Sequence, residues 1–365
     1  MADTKEKAPV EARLPRKAML FFMKAAVGAA LVVFMVYSGH LDLRSPSRAW
    51  AEGQTWLAAA FLAMLCIPLL GGVRWWMMLR AQGMNAGLAA ALRLTYIGAF
   101  FNTFLPGATG GDVVRMYGAA AGFPERRAAA ALTVIADRAA GFFGLFLLAL
   151  FVLAFNYDAI MREPLIREAA IILAVVMAAA LSAIFLVASE RLRQRRHSKY
   201  YSKPGRIRDA LKKMDDAAGM YRGKRGTLAA AVGISLVGHV GSIIALYAAA
   251  RSLGEAAIPL RRYLFLAPLV FAVNSIPLSP GGVGQGESFA EAIFRTQGGG
   301  GLLGAETFFI YRLVAMAAWL IGLVFYLTGK VGFREMARTG EAVEEEIAHL
   351  PSDGDGPPED SASQG

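Results

Sequence analysis

Cysteine is almost absent from this chain. Cys66 is the single one in 365 residues and lies inside an apolar run, which excludes a disulfide framework and any Cys-based metal site. Charge is scarce as well: Asp, Glu, Lys and Arg make up 18% of the sequence, against about a quarter in ordinary soluble domains. A water-soluble fold is therefore excluded. The four histidines are scattered, and no HExxH, GxSxG or Walker A pattern occurs, so the side chains of zinc-protease, serine-hydrolase and P-loop chemistry are missing. Acids are also too few in the apolar stretches to gather a metal on one helix. The sequence thus predicts neither an enzyme nor a bound cofactor.

What the chain has in plenty is apolar length, with 56% hydrophobic residues and a mean hydropathy of +0.45. Its 39 glycines and many alanines suit helices that approach closely in lipid, where apolar contact alone drives no association. The fold class expected is all-α, a polytopic helical membrane protein. Six segments, 18–37, 56–76, 128–155, 169–189, 228–250 and 302–328, reach the roughly 20 residues that a full span requires. The first follows Arg13, Arg16 and Lys17 like a signal peptide, but Ser38-Gly39-His40 makes a poor cleavage site, so it reads as a retained anchor. Two further apolar regions, 88–122 and 263–297, are broken by Pro and Gly at 105–111 and 276–284, leaving arms short for a crossing.

Charge decides the threading. The loop 190–226 carries thirteen Lys or Arg against four acids, and by the positive-inside rule it faces the cytoplasm, as does the segment 1–17. Taking both broken regions as re-entrant hairpins places nearly every basic patch on that side, with both termini cytoplasmic. Four full crossings in place of the two hairpins give the loop the same sidedness. The +10 net charge is thereby explained without nucleic acid, and lipid head groups become the expected acidic partner. The acidic tail 336–365, rich in Pro, Ser, Asp and Gly, reads as disordered.

This threading exposes an inverted repeat. Residues 18–155 run span, span, hairpin, span, and residues 156–335 repeat that order from the opposite side of the membrane. The motifs agree: Asn102-(x)3-Pro106-Gly107-(x)2-Gly110-Gly111-Asp112 parallels Asn274-(x)5-Pro280-Gly281-Gly282-Val283-Gly284-(x)2-Glu287. Arg138 then follows Asp112 by 26 positions and Arg312 follows Glu287 by 25. Inverted repeats with discontinuous helices build secondary transporters, whose site lies at the repeat interface. Broken backbone at membrane depth has to line protein or a watery cavity, and Gly-rich turns entering helix N-termini aim backbone N–H groups at one place, which suits an anion. A guanidinium at mid-membrane costs at least about 2.5 kcal/mol on insertion scales, so Arg138 and Arg312 need compensation. A phosphate supplies it by bidentate pairing; so would Asp112, Asp137, Glu287 or Glu306. Asp112 and Glu287 fit equally as helix caps or as proton carriers, and Asn102 and Asn274 as ligands of a substrate or of the broken backbone. His239 reads as a packing residue, while Gly141, Gly144, Gly238 and Gly241 mark helix contacts.

At its two Pro-Gly motifs the sequence resembles the transmembrane region of the lysylphosphatidylglycerol synthase family. Leu105-Pro106-Gly107-(x)2-Gly110-Gly111-Asp112-(x)2-Arg115 is similar to that family's first motif, followed by the pair Asp137-Arg138. Ser279-Pro280-Gly281-Gly282-Val283-Gly284-(x)2-Glu287 is similar to the second. Gly286 departs from the pattern, standing where many members carry a basic residue. The resemblance covers residues 15–335 and implies a flippase-like membrane domain of a bacterial inner membrane. The soluble domain that attaches lysine to phosphatidylglycerol in the synthases is absent, so the expected role is translocation of a phospholipid or lipid-linked substrate, with isoprenoid-derived lipids among the candidates. The alternative is a non-transporting membrane partner or scaffold for a lipid-modifying or glycosyl-transferring enzyme. Such an enzyme and a second copy of the chain are the candidate protein partners.

Overall fold

The computed structural model describes residues 29–30, 32–34, 36–37, 41–104, 110–188, 219–221, 223–255, 258–276, 279, 282–296 and 303–329. Among them every regular element is a helix and no strand occurs. The predicted segment 1–17, most of the loop 190–226 and the tail 336–365 lie outside the described residues. So does most of the first predicted span, although the described residues between 29 and 37 are helical.

A short helix α1 (Ser45–Glu52) leads into α2 (Gln54–Ala81), followed by α3 (Leu88–Phe104), α4 (Gly110–Gly122) and α5 (Arg127–Ala154). A single-turn-scale helix α6 (Tyr157–Arg162) connects to α7 (Pro164–Ala188). Beyond the basic loop come α8 (Arg225–Ser252), α9 (Leu260–Asn274), α10 (Gln285–Arg295), α11 (Leu303–Trp319) and α12 (Ile321–Leu327). Helices α2, α5, α8 and the run Gly304–Leu327 are long and apolar enough to cross a membrane. Predicted spans 56–76, 128–155, 228–250 and 302–328 coincide with these four. Helix α2 extends past the predicted end because Met77, Met78 and Leu79 continue it to Arg80, whose charge sits favourably in the last turn.

These helices form because long Ala, Leu and Phe runs satisfy their own backbone hydrogen bonds, the only economical state for a chain in lipid. Their outer faces are apolar: Leu62, Ile171, Ile172, Val175 and Val237 stand exposed on α2, α7 and α8. Only hydrocarbon covers such a belt without penalty. The ends that leave the belt are tied by basic side chains. Lys224 Nζ donates to Ala81 O and Arg126 Nη1 to Gln82 O at 2.9 Å, capping carbonyls that α2 leaves open.

Both broken regions fold as antiparallel helical hairpins. At about 1.5 Å per residue, the 17 residues of α3 and the 13 of α4 are shorter than the roughly 30 Å of bilayer hydrocarbon. The same holds for the 15 residues of α9 and the 11 of α10. In the first hairpin the arms meet backbone to backbone: a Cβ on Gly111 would lie 1.8 Å from Gly98 O. The second hairpin sits in the main core, where Tyr263, Leu266, Val270, Ile293 and Phe308 pack with Leu246 and Ile166 from α8 and α7. Neither hairpin is laid on the outside of the bundle. The largest helix interface joins α2 to α8. Gly144 of α5 packs against Ser235 of α8, whereas Gly238 and Gly241 face open space, so of the two small-residue pairs only the first marks a contact.

Candidate functional site

Each hairpin delivers one carboxylate from the first turn of its second arm to one arginine of the long helix that follows. In the first unit, Arg138 of α5 reaches Asp112 Oδ1 through Nε at 2.7 Å and Nη2 at 2.6 Å. In the second, Arg312 of α11 grips Glu287 with Nε to Oε1 at 2.7 Å and Nη2 to Oε2 at 3.1 Å. Of the partners open to the two arginines, the structure selects the hairpin acids. The sequence separations of 26 and 25 are the distance from a hairpin's turn to the middle of the next helix, so the repeated spacing is a repeated contact.

The turns are held by side chains of the same motifs. Asn102 Oδ1 accepts the Gly111 N–H at 2.8 Å, which assigns this asparagine to the broken backbone. Glu287 Oε2 also accepts the Gly284 N–H at 2.9 Å, so the acid at the third position of α10 reaches back to the backbone of its N-cap. Gly282 and Gly284 adopt φ of 70° and 78°, a left-handed conformation that a side chain resists. Gly282 O in turn accepts from Arg312 Nη2 at 2.9 Å, and Ser279 Oγ donates to Val283 O at 2.8 Å. Gly110 and Gly111 are already helical. The predicted residues Pro106, Gly107, Pro280 and Gly281 lie outside the described residues.

The first unit carries more charge than its motif announces. Asp137, 1% exposed, points away from Arg138 and is shared between Arg74 Nε at 2.7 Å and Arg115 Nη2 at 3.1 Å. Arg74 Nη1 also donates to Ser235 Oγ at 2.7 Å, and Arg115 stacks 4.7 Å above the Trp75 ring. Trp75 itself is fixed by its Nε1–H to Thr133 Oγ1 at 3.0 Å. Three arginines thus meet two aspartates. Arg138 is the open member, with 41% of its side chain exposed, against 4% for Arg115 and 17% for Arg312. Sequence reasoning missed Arg74, Trp75 and Ser235; the signal for Arg74 was its place inside an apolar run, in the stretch Gly71-Gly72-Val73-Arg74.

In the second unit, Asn274 Oδ1 is buried and accepts no hydrogen bond from any described residue. It lies against Gly286, where an added Cβ would come 2.6 Å from that oxygen and 2.3 Å from Phe308 Cε1. The missing basic side chain at Gly286 is therefore a packing requirement here. Gly286→Lys is expected to lower the thermal midpoint in detergent by several degrees, since overpacking costs about 1–3 kcal/mol; differential scanning fluorimetry reads it. His239 is satisfied in the helix packing, its Nε2 lying 3.0 Å from Gly141 O.

A bundle of long apolar helices around two internal hairpins, each closed by an arginine on a buried carboxylate, defines a multi-pass helical membrane protein. Its sequence matches the profile described as the lysylphosphatidylglycerol synthase transmembrane region over residues 21–337. The chain belongs to that family, a membrane domain linked to lipid handling. No curated protein matches it significantly.

Proposed function

We propose that the chain is a lipid transporter rather than an enzyme, moving a phospholipid or lipid-linked substrate, with isoprenoid-derived lipids included, across a bacterial inner membrane in a flippase-like manner. The supporting observation is the repeated unit of hairpin, first-turn carboxylate and following-helix arginine, Asp112 with Arg138 and Glu287 with Arg312. Related by an inverted repeat with both termini cytoplasmic, two such units place matched polar joints on either side of one passage. The substrate's phosphate exchanges with Asp112 as the partner of Arg138, the more exposed of the two arginines, so that guanidinium is never left bare in hydrocarbon, while the Glu287–Arg312 joint keeps the second hairpin in place. A lipid-modifying enzyme that supplies the substrate, and a second copy of the chain, are the protein partners this role admits.

Reconstitution tests it. Proteoliposomes carrying fluorescent head-group-labelled lipids are expected to show protein-dependent translocation, slowed at least tenfold by Arg138→Ala and by Arg312→Ala in protein that remains monodisperse. Normal rates in both variants would remove the proposal.

A further inference from the structure

We propose that the substrate's charge is held at the first hairpin alone, and that this charge is a single negative one, as on a phosphodiester. The inference rests on the lipid-translocation reading and narrows it to one half of the molecule.

The two units look alike in sequence but differ in charge. Around the first hairpin, Arg74, Arg115 and Arg138 face Asp112 and Asp137 and no further acid among the described residues, so one positive charge is left over with histidine counted as neutral. Around the second, Arg312 and Glu287 cancel. The neighbouring pairs Arg295–Glu291 and Arg48–Glu306 cancel too. Arg138 follows the start of α5 by eleven residues, about 17 Å along the helix axis, so the surplus lies well inside the bilayer.

A surplus charge at that depth draws a counter-ion, because an unneutralised guanidinium in low dielectric is the costly state. The place for the counter-ion is beside Arg138. Its side chain is the exposed one, and its Nε and Nη2 both use a single carboxylate oxygen, Asp112 Oδ1. Arg115 Nε, buried in the same cluster, has no hydrogen-bond acceptor among the described residues. Arg312 offers no such room, being bidentate on Glu287 and tied to Gly282 O. One surplus positive charge is neutralised by one negative charge. A phosphodiester carries about one, whereas a phosphomonoester with its second pKa near 6 carries about 1.5–2 at neutral pH and would leave the cluster negative. The second hairpin then acts as a locked, neutral counterpart that positions the passage without holding the anion.

The experiment measures equilibrium binding of radiolabelled phosphatidylglycerol, phosphatidic acid and inorganic phosphate to the full-length protein in detergent. Phosphatidylglycerol is expected to bind at least fivefold more tightly than phosphatidic acid, and inorganic phosphate far more weakly than either. Arg138→Gln is expected to weaken phosphatidylglycerol binding at least tenfold. Ser235→Asp, which adds one negative charge beside Arg74 while keeping every arginine, is expected to do the same, and Ser235→Ala to change it less than threefold. The double variant Glu287→Gln with Arg312→Gln, which removes the second pair without stranding a charge, is expected to bind within twofold of the parent.

Tighter binding of phosphatidic acid, retained binding in Ser235→Asp, or an equal loss in the double variant would each overturn the assignment. Inorganic phosphate binding as well as the lipid would reduce the site to that of an adventitious ion and overturn it too. The translocation reading fails separately. A protein whose binding follows these charges but which moves no lipid in proteoliposomes upholds the charge assignment and removes the transport role. Transport indifferent to Ser235→Asp does the reverse.

Discussion

Glu287→Ala is expected to destabilise the folded protein by about 3–5 kcal/mol, the range for removing one partner of a buried ion pair. Glu287 is 1% exposed and accepts two guanidinium bonds from Arg312 as well as the Gly284 N–H. Its loss leaves a positive charge facing Phe308 and Gly282 O, and an open N–H at a turn whose glycines already hold φ near 70° and 78°. The cost should fall steeply when Arg312 is replaced as well, because two neutral side chains of similar volume avoid the bare charge. Thermal midpoints of the parent, of Glu287→Gln and Arg312→Gln singly and of their double, in the same detergent as Glu287→Ala, check this as a mutant cycle. A single variant as stable as the parent would mean that the pair does not close the second hairpin.

Gly111→Val is expected to be at least as damaging and to act on the first hairpin. Any Cβ at this position would sit 1.8 Å from Gly98 O, 2.7 Å from Gly98 C and 2.7 Å from the Asn102 nitrogen. Those are backbone atoms of a helix, which cannot swing aside as a side-chain tip can. The arms must separate, and separation pulls Gly111 N–H from Asn102 Oδ1 and Asp112 from Arg138. A loss of monodisperse protein on size exclusion, with little recovery in Gly111→Ala, is the expected outcome. By contrast Gly122→Ala, at a glycine whose Cβ would meet nothing within 4 Å, should leave yield and stability unchanged. A Gly111→Val protein that purifies and melts like the parent would contradict the close approach.

How far the sequence led can be judged on single residues. The acid–arginine pairs were visible as a repeated spacing, because Asp112 and Glu287 both follow a Gly-rich turn and both precede a lone arginine by nearly the same interval. Their pairing was one of several arrangements open to them, since spacing along a chain does not say which face of the next helix turns inward. Arg74 was hidden for another reason: an arginine near the end of an apolar run reads equally as an anchor at the membrane surface. Ser235, one hydroxyl among alanines and glycines, carries no periodic signal. Helix α1 went unseen because eight residues are too few for a period to emerge, and Gly238 and Gly241 show that a small-residue pattern alone does not say what it touches. Asn102 had two readings, and its bond from the Gly111 N–H is the one that serves the broken backbone.

The ion pairs also impose an order in time. Asp112 and Glu287 leave the ribosome before their arginines, by 26 and 25 residues, and at about 5–20 residues per second the wait lasts about one to five seconds. During it each hairpin holds an acid with its own partner not yet made, at a depth where an unneutralised charge is costly. A hairpin therefore cannot settle in its final place when it emerges. It stays near the interface or the insertion machinery until the next helix arrives, and the pair that closes the finished fold is also the step that releases the hairpin into the bundle.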